Sequence, residues 1–245
     1  MENVPLIGLS RQIALRRQIE VVANNMANMN TTGFKSEQLL FEEYLMPVAR
    51  DRDFPALDQQ LSYTDDWATV HDFSPGPVVD TGNPLDVALK GEGFLVVQTP
   101  GGERYTKAGS LGVSSEGQLV DPSGYPIMGL NGPVQFQPNE TDIQIADDGT
   151  ISSSAGVKGR LRIVEFADPQ NVERFGENLW TGGNPQPAVA TTIQQGSIEK
   201  SNVSGVAQMS QMLEIQRAYE GIANLLQKHD EQRRSAIQKL GSLNG

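Results

Sequence analysis
Apolar residues recur at helical spacing near both ends of the chain and at strand spacing between them. Leu15, Ile19, Val22, Met26 and Met29 follow one another at intervals of four, three, four and three. That interval aligns them along one stripe of an α-helix. Arg16, Arg17, Glu20 and Asn24 fall off the stripe. Pro5 suits an early helical position and Asn3 a cap, so the helix is expected to start there. It is expected to end in Asn30-Thr31-Thr32-Gly33, where side-chain bonding to the backbone and glycine both oppose continuation.

A longer helix is predicted after Ser204-Gly205. Met212, Ile215, Tyr219, Ile222 and Leu226 step by three and four, and the same register passes His229 and Arg233 before Ala236 and Leu240. Val206, Met209 and Leu213 form a second, adjacent stripe. A repeat of this kind, sustained over about four heptads, predicts a helix–helix seam. Periodicity leaves open whether the helices meet one another, meet another chain, or cover their own domain's sheet. Gly221 inside the helix costs roughly 1 kcal/mol relative to alanine and leaves room for a close crossing.

The middle reads as strands. Asp86–Leu89 alternates, and Gly91 and Gly93 frame the entry to Phe94-Leu95-Val96-Val97-Gln98. Pro100-Gly101-Gly102 is a hairpin turn into Arg104-Tyr105-Thr106. Further turns at 115–117, 121–124 and 147–149 separate strand candidates at 118–120, 134–137, 143–145 and 161–166. Their spacing suits a small antiparallel β domain or barrel. Residues 45–75 carry little pattern and read as an extended linker or excursion.

Punctuation supports that division. No proline occurs from Leu6 to Met46 or from Ala188 to Gly245, and 19 of the 25 glycines lie between Gly76 and Gly196. With 38% apolar and 6% aromatic residues, the 245-residue chain is lean for a compact enzyme. No cysteine is present, which excludes disulfides, thiolate metal sites and a cysteine nucleophile. The net charge of −11 is concentrated in residues 36–200, with ten basic and 24 acidic side chains. That balance argues against nucleic acid, whose phosphates need a basic face. No stretch approaches the roughly 18–20 apolar residues of a membrane span. No cleavable signal peptide is expected, because no basic start leads into an apolar run.

Candidate chemistry is sparse. His71 and His229 lie in unrelated segments without ligand spacing. Asp147-Asp148-Gly149 lacks the glutamate and helices of a calcium loop. Asp65-Asp66 reads as solvated charge rather than an acid–base pair. Gly91-Glu92-Gly93 lacks a dinucleotide loop's third glycine, and 107–112 is neither a phosphate loop nor a nucleophile elbow. No catalytic, cofactor-binding or metal-binding residues are therefore assigned, and no enzyme activity is expected.

Several motifs are nevertheless specific. Val22–Lys35, with Asn24-Asn25 and Asn30-Thr31-Thr32-Gly33-Phe34-Lys35, resembles the N-terminal signature of the flagellar axial proteins, the rod and hook subunits. Thr81–Phe94 resembles the family's central motif, continued by Tyr105–Ser110, Gly117–Val120 and Ser123–Pro126. Gln195–Val203 and Gln216–Glu220 resemble its C-terminal signature. The length and the opening Gly8-Leu9-Ser10-Arg11-Gln12 fit a proximal rod subunit better than the distal one.

The resemblance implies an α+β fold: N- and C-terminal helices packed as a coiled-coil-like layer, with a central antiparallel β domain. The expected division is a helical assembly segment at 1–35, an extended linker at 36–80, a β-rich middle at 81–195 and a second helical assembly segment at 196–245. It implies a structural subunit of the basal-body rod, polymerising through its helices into a drive shaft that carries torque across the periplasm. Its partners would be other rod subunits, copies of itself and, in transit, the flagellar export apparatus. The distal rod protein and a cell-envelope binding module are the alternatives. Expected subunit-interface residues are Leu15, Ile19, Val22, Asn24, Asn25, Met26 and Met29 on the first helix. On the last they are Met212, Ile215, Tyr219, Ile222 and Leu226.

Overall fold
The run Phe94-Leu95-Val96-Val97 is continuously apolar because both faces of its strand are covered. Successive side chains alternate sides. Leu95 and Val97 enter one core with Val87, Leu119, Ile127, Ile151 and Leu161. Phe94 and Val96 enter a second, with Tyr105, Val164, Phe166, Val172 and Trp180. This computed structural model describes residues 3–45, 62–176 and 178–242.

Helix α1 spans Asn3–Ala27 and helix α2 spans Gly205–Ser242. Between them run strands β1 (Glu37–Leu45), β2 (Ser62–His71), β3 (Val78–Asp80), β4 (Val87–Lys90), β5 (Phe94–Thr99) and β6 (Gly102–Thr106), followed by shorter strands to Ser197–Glu199. The largest sheet is antiparallel, in the order Val172–Arg174, Trp180–Gly182, β6, β5, Ile163–Phe166, Pro185–Pro187. It is open rather than a closed barrel, and one edge carries Pro185 and Pro187, which resist further pairing. β5 and β6 form the expected hairpin, Thr99 opposite Gly102.

The chain divides into two compact units. A helical unit comprises 1–26, 37–70 and 204–245, and a β unit comprises 27–36 and 71–203. The resulting architecture is α+β, a helix at each end of the chain and antiparallel β structure between. Two expectations need adjustment. β1 and β2 pair with each other inside the stretch read as linker; residues 46–61 of that stretch lie outside the described residues. The strand expected over 134–137 is only an isolated bridge between Gln118 and Gln135, beside a strand at Gly132–Pro133.

Candidate functional site
In the helical unit the two apolar stripes meet each other. Leu15, Val22 and Ile215 are buried together, with Ile19, Met212, Ala218 and Ile222 packed around them. A Cβ on Gly8 would lie 2.7 Å from Leu226 Cδ2, so the missing side chain lets α2 approach α1 closely. At the other end Asn25 Nδ2 lies 3.5 Å from Gln208 Oε1. The pairing of 8 with 226 and of 25 with 208 makes the helices antiparallel.

The heptad reading requires one correction. Tyr219 is exposed and Ala218 takes the inward place, giving Ile215, Ala218, Ile222 and Leu226 at intervals of three, four and four. A straight helix advances 3.6 residues per turn, so a strict seven-residue reading drifts off the contact line. Met29 lies beyond the end of α1 and is exposed. Met26 is half-buried and Asn24 exposed.

Asn25 is sealed from water and acts within its own chain. Its Nδ2 donates to Glu37 O at 2.8 Å and its Oδ1 accepts from Glu37 N at 3.0 Å. The side-chain amide thus imitates a neighbouring strand at the first residue of β1. Gln170 treats the last residue of β2 the same way, accepting from His71 N at 3.2 Å and donating to His71 O at 2.8 Å.

In the β unit the two terminal signatures clasp each other. Lys35 Nζ donates to Glu199 Oε1 at 2.6 Å and to Ser74 O at 2.7 Å. The two charged side chains are 1% and 4% exposed. Gly76 N–H donates to the same carboxylate at 2.8 Å. Gly33 N–H donates to Glu199 O, and Asn202 joins Ser36 N to Asp72 O. Arg174 lays its guanidinium 4.1 Å from the Phe34 ring centre and donates to Lys35 O at 2.8 Å. Asn178 donates to Thr32 O. Gly33 has φ +67°, and a Cβ there would strike the Lys107 carbonyl.

Two buried bases border this clasp. Burial, with the neighbouring Arg174 charge, holds His71 down at about 4. Its ring meets Trp180 edge-on at 4.7 Å. Lys107 is held down at about 8, mainly by burial and then by the Lys35 charge, against the pull of Glu199, Glu92 and Glu165. It donates to the carbonyls of Gly91 and Gly93. Both groups are enclosed, and the Lys107 ammonium is held by backbone carbonyls, an arrangement that suits structure. No cluster of three potential metal ligands and no helix suited to cross a membrane occurs among the described residues.

Motif residues that sequence alone left without a role therefore make up the site: Lys35, Glu199 and Asn202 lie in the quoted signatures, but nothing in the sequence pairs them. Ser74, Gly76 and Arg174 carried no signal.

The fold packs α1 against α2 and ties the N-terminal signature to the C-terminal one through buried charges, the features of a structural subunit. The comparisons agree. Residues 6–35 match the family described as "Flagella basal body rod protein". Residues 88–153 match the "Flagellar hook protein FlgE/F/G D1 domain", and 194–239 match the "Flagellar basal body rod FlgEFG protein C-terminal". The chain is 37% identical to the flagellar basal-body rod protein FlgF of Caulobacter vibrioides, over all of both chains. It is 28% identical to FlgF of Mesorhizobium japonicum, over 99% of each. FlgG of Buchnera aphidicola subsp. Schizaphis graminum is 31% identical, over 98% of this chain and 100% of its own. The chain belongs to the flagellar basal-body rod protein family, as a structural subunit of the basal body, and resembles FlgF of Caulobacter more than FlgG of Buchnera.

Proposed function
We propose that the chain is a proximal rod subunit that polymerises through α1 and α2 with copies of itself and with other rod subunits. The observation that carries this is the apolar surface the helix pair leaves uncovered. Leu6, Leu9 and Ile13 line one end of α1, and Val206, Met209 and Leu213 line the start of α2, each at least 49% exposed. The helices being antiparallel, these stripes sit at opposite ends of the pair. Such stripes are natural contact surfaces. Two different surfaces on one subunit make a head-to-tail contact, and a head-to-tail contact that does not close builds a helical filament. Tyr219 and Met29 also face outward. The residues packed between α1 and α2, Leu15, Ile19, Val22, Met212, Ile215, Ile222 and Leu226, stiffen the unit that neighbours contact; Asn24 and Met26 lie at its edge.

α2 overhangs its partner. It continues 16 residues past Leu226, whereas α1 begins five residues before Gly8. About ten residues, roughly 15 Å of helix, extend past the start of α1. Residues 231–239 are all exposed. In a tube, neighbouring subunits would cover this segment, and the interlocked helices would carry torque through the periplasm. Passage through the flagellar export apparatus is the route that fits an axial subunit. The enclosed, satisfied polar groups favour a structural role without catalysis, and the acidic middle disfavours nucleic acid.

Leu9→Asp and Met209→Asp test the reading. Each should leave the free subunit's fold and melting temperature unchanged yet abolish incorporation into basal bodies and swimming. Normal swimming in both variants would refute it.

A further inference from the structure
Gly221 has no reason within its own chain to be glycine. It lies inside α2, where glycine weakens a helix relative to alanine because its backbone has more freedom to lose. It adopts no left-handed backbone. A Cβ built on it meets nothing within 4 Å. Gly8 is the contrast, since a Cβ there would press on Leu226 of the same chain. The space that Gly8 leaves is filled from within the chain, and the space that Gly221 leaves is not.

Gly221 also faces away from α1. Ile215, Ile222 and Leu226 mark the inward line of α2, and Gly221 stands about 100–140° around the helix from them. It is exposed, in a shallow hollow on the outer face that Asn224, Leu225, Lys228, His229 and Gln232 complete. Leu225, 54% exposed, gives the hollow an apolar side. A missing side chain beside an apolar one is a shape that receives a side chain from another helix.

The rest of the helical unit points to one occupant. In a tube a subunit has neighbours beside it as well as beyond its ends. Leu6, Leu9 and Ile13 form an uncovered apolar row on α1, with Ile13 62% exposed. α1 carries Arg11, Arg16 and Arg17 against Glu20, whereas α2 up to Leu226 carries Glu214 and Glu220 against Arg217. The two helices are thus opposite in net charge, which favours their meeting. Gly8 meets Leu226 and Asn25 approaches Gln208, so Gly221 stands level with Ile13 along the antiparallel pair. Among subunits of one orientation, a copy beside this one at the same height brings its Ile13 to the hollow.

We propose that α1 of a second copy crosses α2 closely at Gly221, with Ile13 of that copy seated in the space the glycine leaves. This rests on the assembly reading and names a contact by which one copy meets the next. The helix stability given up at Gly221 is recovered only in the assembled state.

Gly221→Ala and Gly221→Leu test it, compared in basal bodies isolated from cells that make equal amounts of each chain. Alanine and leucine are both much better helix formers than glycine and close to each other, so a difference between the two variants reads space alone. Gly221→Leu should lower the chain's content in basal bodies at least about tenfold, and Gly221→Ala by less. Adding Ile13→Ala to Gly221→Leu should restore the content, because every copy then brings a smaller side chain to a fuller site. Wild-type incorporation of Gly221→Leu would overturn the proposal. So would equal losses in the two single variants, which would report helix propensity, and so would failure of Ile13→Ala to restore incorporation, which would assign the hollow another occupant. Leu9→Asp and Met209→Asp keep the two readings apart. Their normal entry into basal bodies would remove the assembly reading itself; their exclusion beside normal entry of Gly221→Leu would remove only the crossing at Gly221.

Discussion
Lys35 Nζ and Glu199 Oε1 are 164 positions apart in sequence and 2.6 Å apart in the fold, both nearly sealed from water. The pair joins the two signatures that frame the chain. A buried ion pair is not itself a large source of stability, because both charges lose their hydration. What it supplies is intolerance of an open state, since neither charge can be left alone.

Glu199→Ala should therefore destabilise the β unit by about 3–5 kcal/mol, leaving an ammonium buried against one carbonyl. Lys35→Met with Glu199→Leu should lie within about 2 kcal/mol of wild type, because no charge remains to strand. Urea unfolding followed by Trp180 emission in the Trp67→Phe background compares them. Equal losses in the two variants would contradict the electrostatic account.

Gly33→Ala meets two obstacles, a left-handed backbone and the Lys107 carbonyl. The backbone alone costs about 1–2 kcal/mol. Thermal unfolding should show at least that loss, whereas Gly82→Ala, with open space at its Cβ, should show only the backbone part.

Asn25→Leu removes both bonds to Glu37 and leaves a donor and an acceptor at the root of β1 without their partner. A loss of about 1–3 kcal/mol is expected. The Glu37 amide should exchange faster. Exchange at the wild-type rate would show that another group replaces Asn25.

His71 sets an acid limit. Its folded-state value lies near 4, below the usual 6.5. Between these pH values the unfolded chain binds a proton that the folded chain refuses. Stability is thus present above about pH 6.5 and falls as pH drops toward 4, by about 3 kcal/mol across the window. His71→Phe should flatten the slope of urea midpoints between pH 7 and 4.5.

Tyr219 and Leu226 separate contact within the chain from contact between chains. Leu226→Asp puts a charge against Gly8 and should weaken the free helix pair, lowering helix content by circular dichroism. Tyr219→Asp lies on the outer face and should leave the free subunit unchanged while impairing swimming. The opposite pattern would return Tyr219 to the intrachain seam.

Helices, turns and the central strands were legible because their signals are local. The three-and-four spacing of Leu15, Ile19 and Val22 announces a helix, and Pro100-Gly101-Gly102 announces the β5–β6 turn. Ala218 was overlooked because a small residue adds little to an apolar stripe, yet a close helix contact favours it. β1 and β2 were read as linker because their residues do not alternate clearly. The clasp left no trace beyond membership of two motifs.

Residue order alone therefore settled the two helices, the β5–β6 hairpin, the acidic middle and the family likeness, all properties of neighbouring residues. Only the folded chain decided that the stripes of α1 and α2 face each other, that Asn25 holds β1, and that Lys35 finds Glu199. These depend on distances between residues remote in sequence. Such distances are fixed when burial forces a charged group and an unpaired backbone group to find partners wherever the fold has brought them.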